Sequence, residues 1–213
     1  MIEIINKIKN KVQILFKDNK GSHAWDHTQR VVALCQRIGD AEHADLTVLQ
    51  IAAYLHDIGR SYQDNSNGAI CHAEKGAQLA EPLIKDLALS FDQKQNILHC
   101  IKAHRFRGNC RPETTEAKVL FDADKLDAIG AVGIARAYLF AGELGARLHA
   151  PEIKIKDTLA YSREDTGFRE YKVKLVKIKD RIITAAGKKL ANDRHQFMKE
   201  FFKRFSGEYI GEL

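Results

Sequence analysis

Only three prolines interrupt 213 residues, and apolar side chains recur at helical intervals almost from end to end, so the chain is expected to be all-α. Ile4, Ile5, Ile8, Val12 and Leu15 mark an amphipathic N-terminal helix. A second helix is predicted over 23–38, capped by Gly21 and Ser22, with Val31, Leu34, Cys35 and Ile38 on its buried stripe and Gly39 closing it. The segment 45–58 is apolar around most of its circumference, which makes it the central element of a core. GRSYQDNSNGAI reads as a loop; helices follow over 72–87, 91–105 and 114–142. Another loop, around APEIKIKDT and YSREDTG, precedes a long helical stretch over 167–205. The expected organisation is a compact bundle over 1–150, with a helical extension over 151–213 packed on it as one structural unit.

Composition narrows the class further. With 45% hydrophobic and 29% charged residues the chain has the make-up of a globular domain, not of a disordered or repetitive one. The net charge of +6 invites a nucleic-acid reading, but its distribution argues otherwise. Residues 1–151 are nearly balanced at +1, and residues 152–213 carry +5, with Lys172, Lys174, Lys177 and Lys179 spread around a helix as a solvated face. Nucleic acid is therefore not an expected partner. No apolar run reaches the roughly eighteen residues of a membrane span, and the N-terminus lacks the compact apolar region of a secretory signal. Cys35, Cys71, Cys100 and Cys110 show no CxxC spacing, which fits reduced thiols and a cytoplasmic location.

The chemistry concentrates in AAYLHDIGR, where His56 and Asp57 end an otherwise apolar helix. A buried carboxylate and imidazole need a partner, and a divalent cation is an economical one. An isolated His-Asp pair means little, since local backbone hydrogen bonds satisfy most of them. This pair has company: His27 upstream in HAWDHTQRV, and Asp122, Asp124 and Asp127 downstream in FDADKLDAIG. Two imidazoles and two carboxylates from three helices, with open positions left for solvent, suit a catalytic ion and not a closed structural site. Mn, Mg, Fe, Co, Ni and Zn all accept such a donor set. His23 and His27 stand four apart, yet position 24 is Ala, so the zinc-peptidase pattern H-E-x-x-H fails for want of its general base. His43, His99, His149 and His195 belong to no pattern and read as surface or interhelical residues.

GSHAWDHTQRV, LQIAAYLHDIGR, CHAEKGAQLA, IKAHRFRG, VLFDADKLDAIGAVGIARAY and TAAGKKLANDRHQFMKEF together resemble the HD-domain metal-dependent phosphohydrolase superfamily, in particular its small stand-alone bacterial members. The resemblance implies an HD-type helical bundle with additional C-terminal helices, and His27, His56, Asp57 and Asp124 as metal ligands. Asp124 matches the Ala-Asp-x-Leu form of the family's last ligand, which leaves Asp122 and Asp127 as supporting or capping groups. One ion is expected. His72 and His104 either hold a second ion or contact the substrate phosphate. Glu74, one turn from His72, is a candidate to orient or deprotonate the attacking water alongside Asp57 in catalysis. His23, Arg60, Arg105 and Lys125 are candidate phosphate contacts, with Arg107 and Arg136 nearby.

The expected activity is hydrolysis of phosphate ester or anhydride bonds, with a nucleotide as the phosphorylated small-molecule substrate and a nucleotide pyrophosphatase or phosphatase as the leading form. Phosphodiesterase activity and a non-catalytic binding module with a structural metal are the alternatives. HDIGRSYQDNSNG lacks the GYP element of the cyclic-dinucleotide branch. The C-terminal apolar positions, among them Val173, Val176, Ile178 and Leu190, cover either the bundle or a second subunit, so monomer and homodimer both stay open.

Overall fold

A computed structural model describes residues 2–16, 25–105 and 110–213, and among these every regular element is a helix. The order is α1 (Ile2–Leu15), α2 (Trp25–Ala41), α3 (Leu46–Leu55), α4 (Arg60–Asn65), α5 (His72–Ile84), α6 (Phe91–Ala103), α7 (Thr115–Asp127), α8 (Gly130–Glu143), α9 (Gly167–Glu170), α10 (Val176–Ile178) and α11 (Ala185–Tyr209). No helix of the described residues is long and apolar enough to cross a membrane, and all four cysteines are free thiols. The chain forms two compact units, one of residues up to Asp124 together with Ile183–Ala186, the other of Lys125–Ile182 and Gly187–Leu213.

In the first unit α3 is the core element, because an all-round apolar sequence must be covered on every side. Leu49, Ile51, Ala52, Ala53 and Leu55 are fully buried under α1, α2 and α6, while α5 packs on α6 and α4 on α5. Each large aliphatic side chain so buried contributes about 1.5–3 kcal/mol. Asp45 caps α3 by accepting from the amides of Thr47 and Val48, and Ser90 with Gln93 forms a capping box at the start of α6. These caps fix where the helices begin and hence where their far ends deliver His56 and His104.

Three expectations need correction. The segment read as a loop after Ile58 contains the six-residue α4, whose polar sequence RSYQDN carries no apolar period. The helix expected over 114–142 is two, broken after Asp127 and restarted at Gly130, whose φ of +79° suits a residue without Cβ. The stretch 167–205 is not one helix either. A π-helical turn (Tyr171–Leu175) and a 3-10 turn (Lys179–Arg181) precede the non-helical residues 182–184, and only then does α11 begin. Buried Asp122 holds that segment: it accepts from the amides of Ile183 at 2.9 Å and Thr184 at 2.7 Å, and from the Thr184 hydroxyl at 2.6 Å.

The second unit has its own core. Tyr171 stacks on Phe202 at 4.1 Å between centroids, beside buried Leu175, Ile178 and Met198. Arg136 donates to the Asp127 carboxylate at 2.8 Å, tying α8 to the end of α7.

Candidate metal centre

His27 lies in the first turn of α2, His56 caps the C-terminus of α3, Asp57 follows it, and Asp124 sits on α7. His72 opens α5, and His104 caps the C-terminus of α6. The corner between α3 and α4 turns on Gly59. A Cβ there would stand 2.4 Å from the His72 carbonyl oxygen and 2.6 Å from the Gly76 nitrogen, so only glycine lets the start of α5 come this close to Asp57 and Arg60.

The side chains meet around Asp57, which is buried and divides its two oxygens between two groups of donors. Its Oδ2 is 3.7 Å from His56 Nε2 and 3.9 Å from His27 Nε2, and those two nitrogens are 3.3 Å apart. Three atoms at these separations lie on a circle of radius about 2.1 Å, the length of a bond from a divalent metal to nitrogen or oxygen. Asp124 Oδ1 is 3.3 Å from His27 Nε2, and its side chain, 21% exposed where those of His27 and Asp57 are almost wholly buried, forms the open edge. On the other side, Asp57 Oδ1 is 3.6 Å from both His72 Nε2 and His104 Nε2, which are 3.1 Å from each other. The circle through that second triangle has a radius of about 2.0 Å.

Ring orientation is fixed from behind. His56 Nδ1 donates to the Ala53 carbonyl at 2.7 Å, His104 Nδ1 to the Ile101 carbonyl at 2.6 Å, and His72 Nδ1 to Gln63 Oε1 at 2.8 Å. With a proton held at Nδ1, each ring turns its Nε2 inward, the usual support of a ligating histidine. Burial pushes His56 down to about 4 and His72 down to about 3, so both are neutral near pH 7. His27 Nε2 and His56 Nε2 facing each other across 3.3 Å beside the Asp57 carboxylate call for a cation, so the residues present fit a divalent ion.

Arg60, the first residue of α4, reaches the same place. Its Nη2 donates to Asp57 Oδ1 at 3.1 Å and to His72 Nε2 at 3.3 Å, and lies 3.4 Å from Asp57 Oδ2. Arg105 is half-buried just beyond α6, and Lys125 is buried in the last turn of α7. Glu74 is exposed in the first turn of α5, where a carboxylate complements the helix dipole. Asp122 and Asp127 are spent on the Ile183–Thr184 segment and on Arg136. His23, Arg107 and the capping pair Gly21 and Ser22 lie outside the described residues. Sequence reasoning missed Gln63 and the carbonyls of Ala53 and Ile101, the groups that aim the rings. The carbonyls have no residue signature, and Gln63 stood in a segment read as loop.

The family model for the HD domain matches residues 24–129, which contain all six of these histidine and aspartate side chains. The YpgQ protein of Bacillus subtilis is 31% identical over 210 residues, 96% of this chain and 93% of its own. Its crystal structure in complex with ADP superposes with a TM-score of 0.73 at 26% identity, covering 97% of this chain and 95% of that one. An HD-superfamily hydrolase of Bacillus thuringiensis gives a TM-score of 0.76 at 27% identity, with 97% of each chain covered. By its matched residues, its fold and its likeness to these proteins along nearly the whole length, the chain belongs to the HD domain family of the HD-superfamily hydrolases.

Proposed function

We propose that this chain is a metal-dependent phosphohydrolase acting on phosphate anhydride or ester bonds of a nucleotide, with release of pyrophosphate from a nucleoside triphosphate as the leading form. The observation that carries this reading is the convergence of His27 Nε2, His56 Nε2 and Asp57 Oδ2 on a point about 2.1 Å from each, with Asp124 at the open edge. In this reading His27, His56, Asp57 and Asp124 are the ligands of one ion. A divalent ion supplies Lewis acidity there, acidifying water and polarising a phosphoryl oxygen. The residues do the remaining work. Neutral His56, locked by Ala53, keeps its lone pair on the ion instead of taking a proton. Arg60 and Arg105, with Lys125 next in sequence to Asp124, are the cations we assign to phosphate oxygens that the ion does not hold. The structure of YpgQ with ADP supports a nucleotide ligand, since a relative alike over nearly its whole length binds one.

Metal analysis of the purified full chain, followed by a nucleoside triphosphate panel with Mn, Mg, Co or Ni, tests the reading. We expect bound metal and release of pyrophosphate or phosphate. Retained metal with no turnover on any phosphorylated compound would leave a binding module in its place.

A further inference from the structure

The two triangles of donors are the same size, so geometry alone offers places for two ions. They differ in what stands beside them. The second triangle, formed by Asp57 Oδ1, His72 Nε2 and His104 Nε2, already has a cation on it: the Arg60 guanidinium donates to two of its three corners, at 3.1 and 3.3 Å, and reaches the first triangle at a single corner, Asp57 Oδ2, at 3.4 Å. A guanidinium is permanently charged, so it cannot make room by losing its proton. The placement is built in. Gly59 removes the side chain that would hold α4 away from α5, Arg60 is the first residue after it, and Gln63, one turn on, holds His72 with its lone pair toward the guanidinium. The Arg60 side chain is 18% exposed, too enclosed for solvent to screen it as it would a surface charge.

We infer that Arg60 occupies the cationic role of a second metal ion, so that this centre takes a single ion although its donors are laid out for two. This rests on the metal reading of the first triangle given above. Asp57 then offers Oδ2 to the ion, while the fixed organic cation bonds most closely to Oδ1, at 3.1 Å against 3.4 Å for Oδ2. His72 accepts from that guanidinium with His104 against it, and neither ring ligates an ion. The chain's positive charge opposite the ion is present at all times and does not depend on metal supply.

The test counts ions in the full chain with Mn(II) as the probe, by calorimetric titration and elemental analysis after desalting, and reads their coupling by electron paramagnetic resonance. The wild type is expected to take a single ion in excess Mn(II), with an uncoupled spectrum. Arg60→Ala and Arg60→Gln, each checked for helix content by circular dichroism, are expected to take a second ion with an exchange-coupled spectrum, and Arg60→Lys to remain at one. Two ions in the wild type overturn the inference and leave the hydrolase reading standing. A single ion in folded Arg60→Ala or Arg60→Gln also overturns it. No ion in the wild type removes both readings. If neither neutral variant folds, the wild-type titration decides alone.

Discussion

On either side of Asp57 stand two clusters of similar shape and different company. The first joins His27, His56 and one carboxylate oxygen to a part-exposed Asp124; the second joins His72, His104 and the other oxygen to Arg60. Donor geometry is the same to within about 0.1 Å in radius, so geometry does not distinguish them. Charge does. The first cluster gathers two carboxylates around His27 and His56 and meets the Arg60 guanidinium only at Asp57 Oδ2, at 3.4 Å, whereas the second takes that guanidinium on two corners, at 3.1 and 3.3 Å. The lesson is that the neighbouring charge decides whether a ring of donors collects an ion.

The comparison is most severely broken at its shared residue. Asp57→Ala removes a corner from both triangles and is expected to abolish Mn(II) binding and lower phosphate or pyrophosphate release by about 1000-fold or more, some 4 kcal/mol of transition-state stabilisation. Unchanged turnover in that variant would end the hydrolase reading.

The next effect is one of pH, and both clusters contribute through His56 and His72. Each has a folded pKa depressed below the ordinary imidazole value, so the unfolded chain binds a proton that the folded chain refuses. The stability of metal-free protein is therefore full above pH 6.5 and falls as the pH drops below it, through about 4 for His56 and about 3 for His72. The full loss is about 3 kcal/mol for His56 and about 5 kcal/mol for His72, of which about 2 kcal/mol per ring is already gone at pH 5. Urea unfolding of chelator-treated protein at pH 7.5 and pH 5 reads it; equal midpoints would mean that the rings are not held neutral by burial.

A paired substitution sharpens the edge of the first cluster. Asp124→Asn is expected to weaken Mn(II) binding by about 100-fold with little change in melting temperature. Asp122→Asn, which leaves the amides and hydroxyl of residues 183–184 with a poorer acceptor, is expected to lower stability by about 2 kcal/mol while metal binding persists. The reverse pattern would exchange their roles. The smallest effect is Glu74→Gln: an exposed first-turn carboxylate contributes about 0.5 kcal/mol to the helix, so turnover within about twofold of wild type is expected. A loss of tenfold or more would return Glu74 to the chemistry.

Much of this was legible in the chain. The apolar period placed α2, α3, α5 and α6, and the single dipeptide His56-Asp57 at the end of an apolar helix pointed to the centre. What stayed hidden depends on contacts distant in sequence or on atoms common to every residue. Ile182 and Ile183 keep up the apolar period outside any helix, because Asp122 takes the amides of Ile183 and Thr184 that a helix would otherwise use. Ala128–Ile129 break a run whose composition favours helix on both sides, and the break shows only in the backbone of Gly130. The orientation of the rings rests on main-chain carbonyls, which no sequence pattern marks.

The grip of Asp122 on Ile183 and Thr184 closes a loop whose ends are 61 and 62 positions apart in sequence. The entropy of closing a flexible loop grows only with the logarithm of its length, and doubling it adds about 0.6 kcal/mol. Once that carboxylate has gripped the returning segment, the chain between is nearly free to lengthen or shorten at its surface turns. One buried side chain thus sets where the chain must come back and leaves open how far it travels before it does.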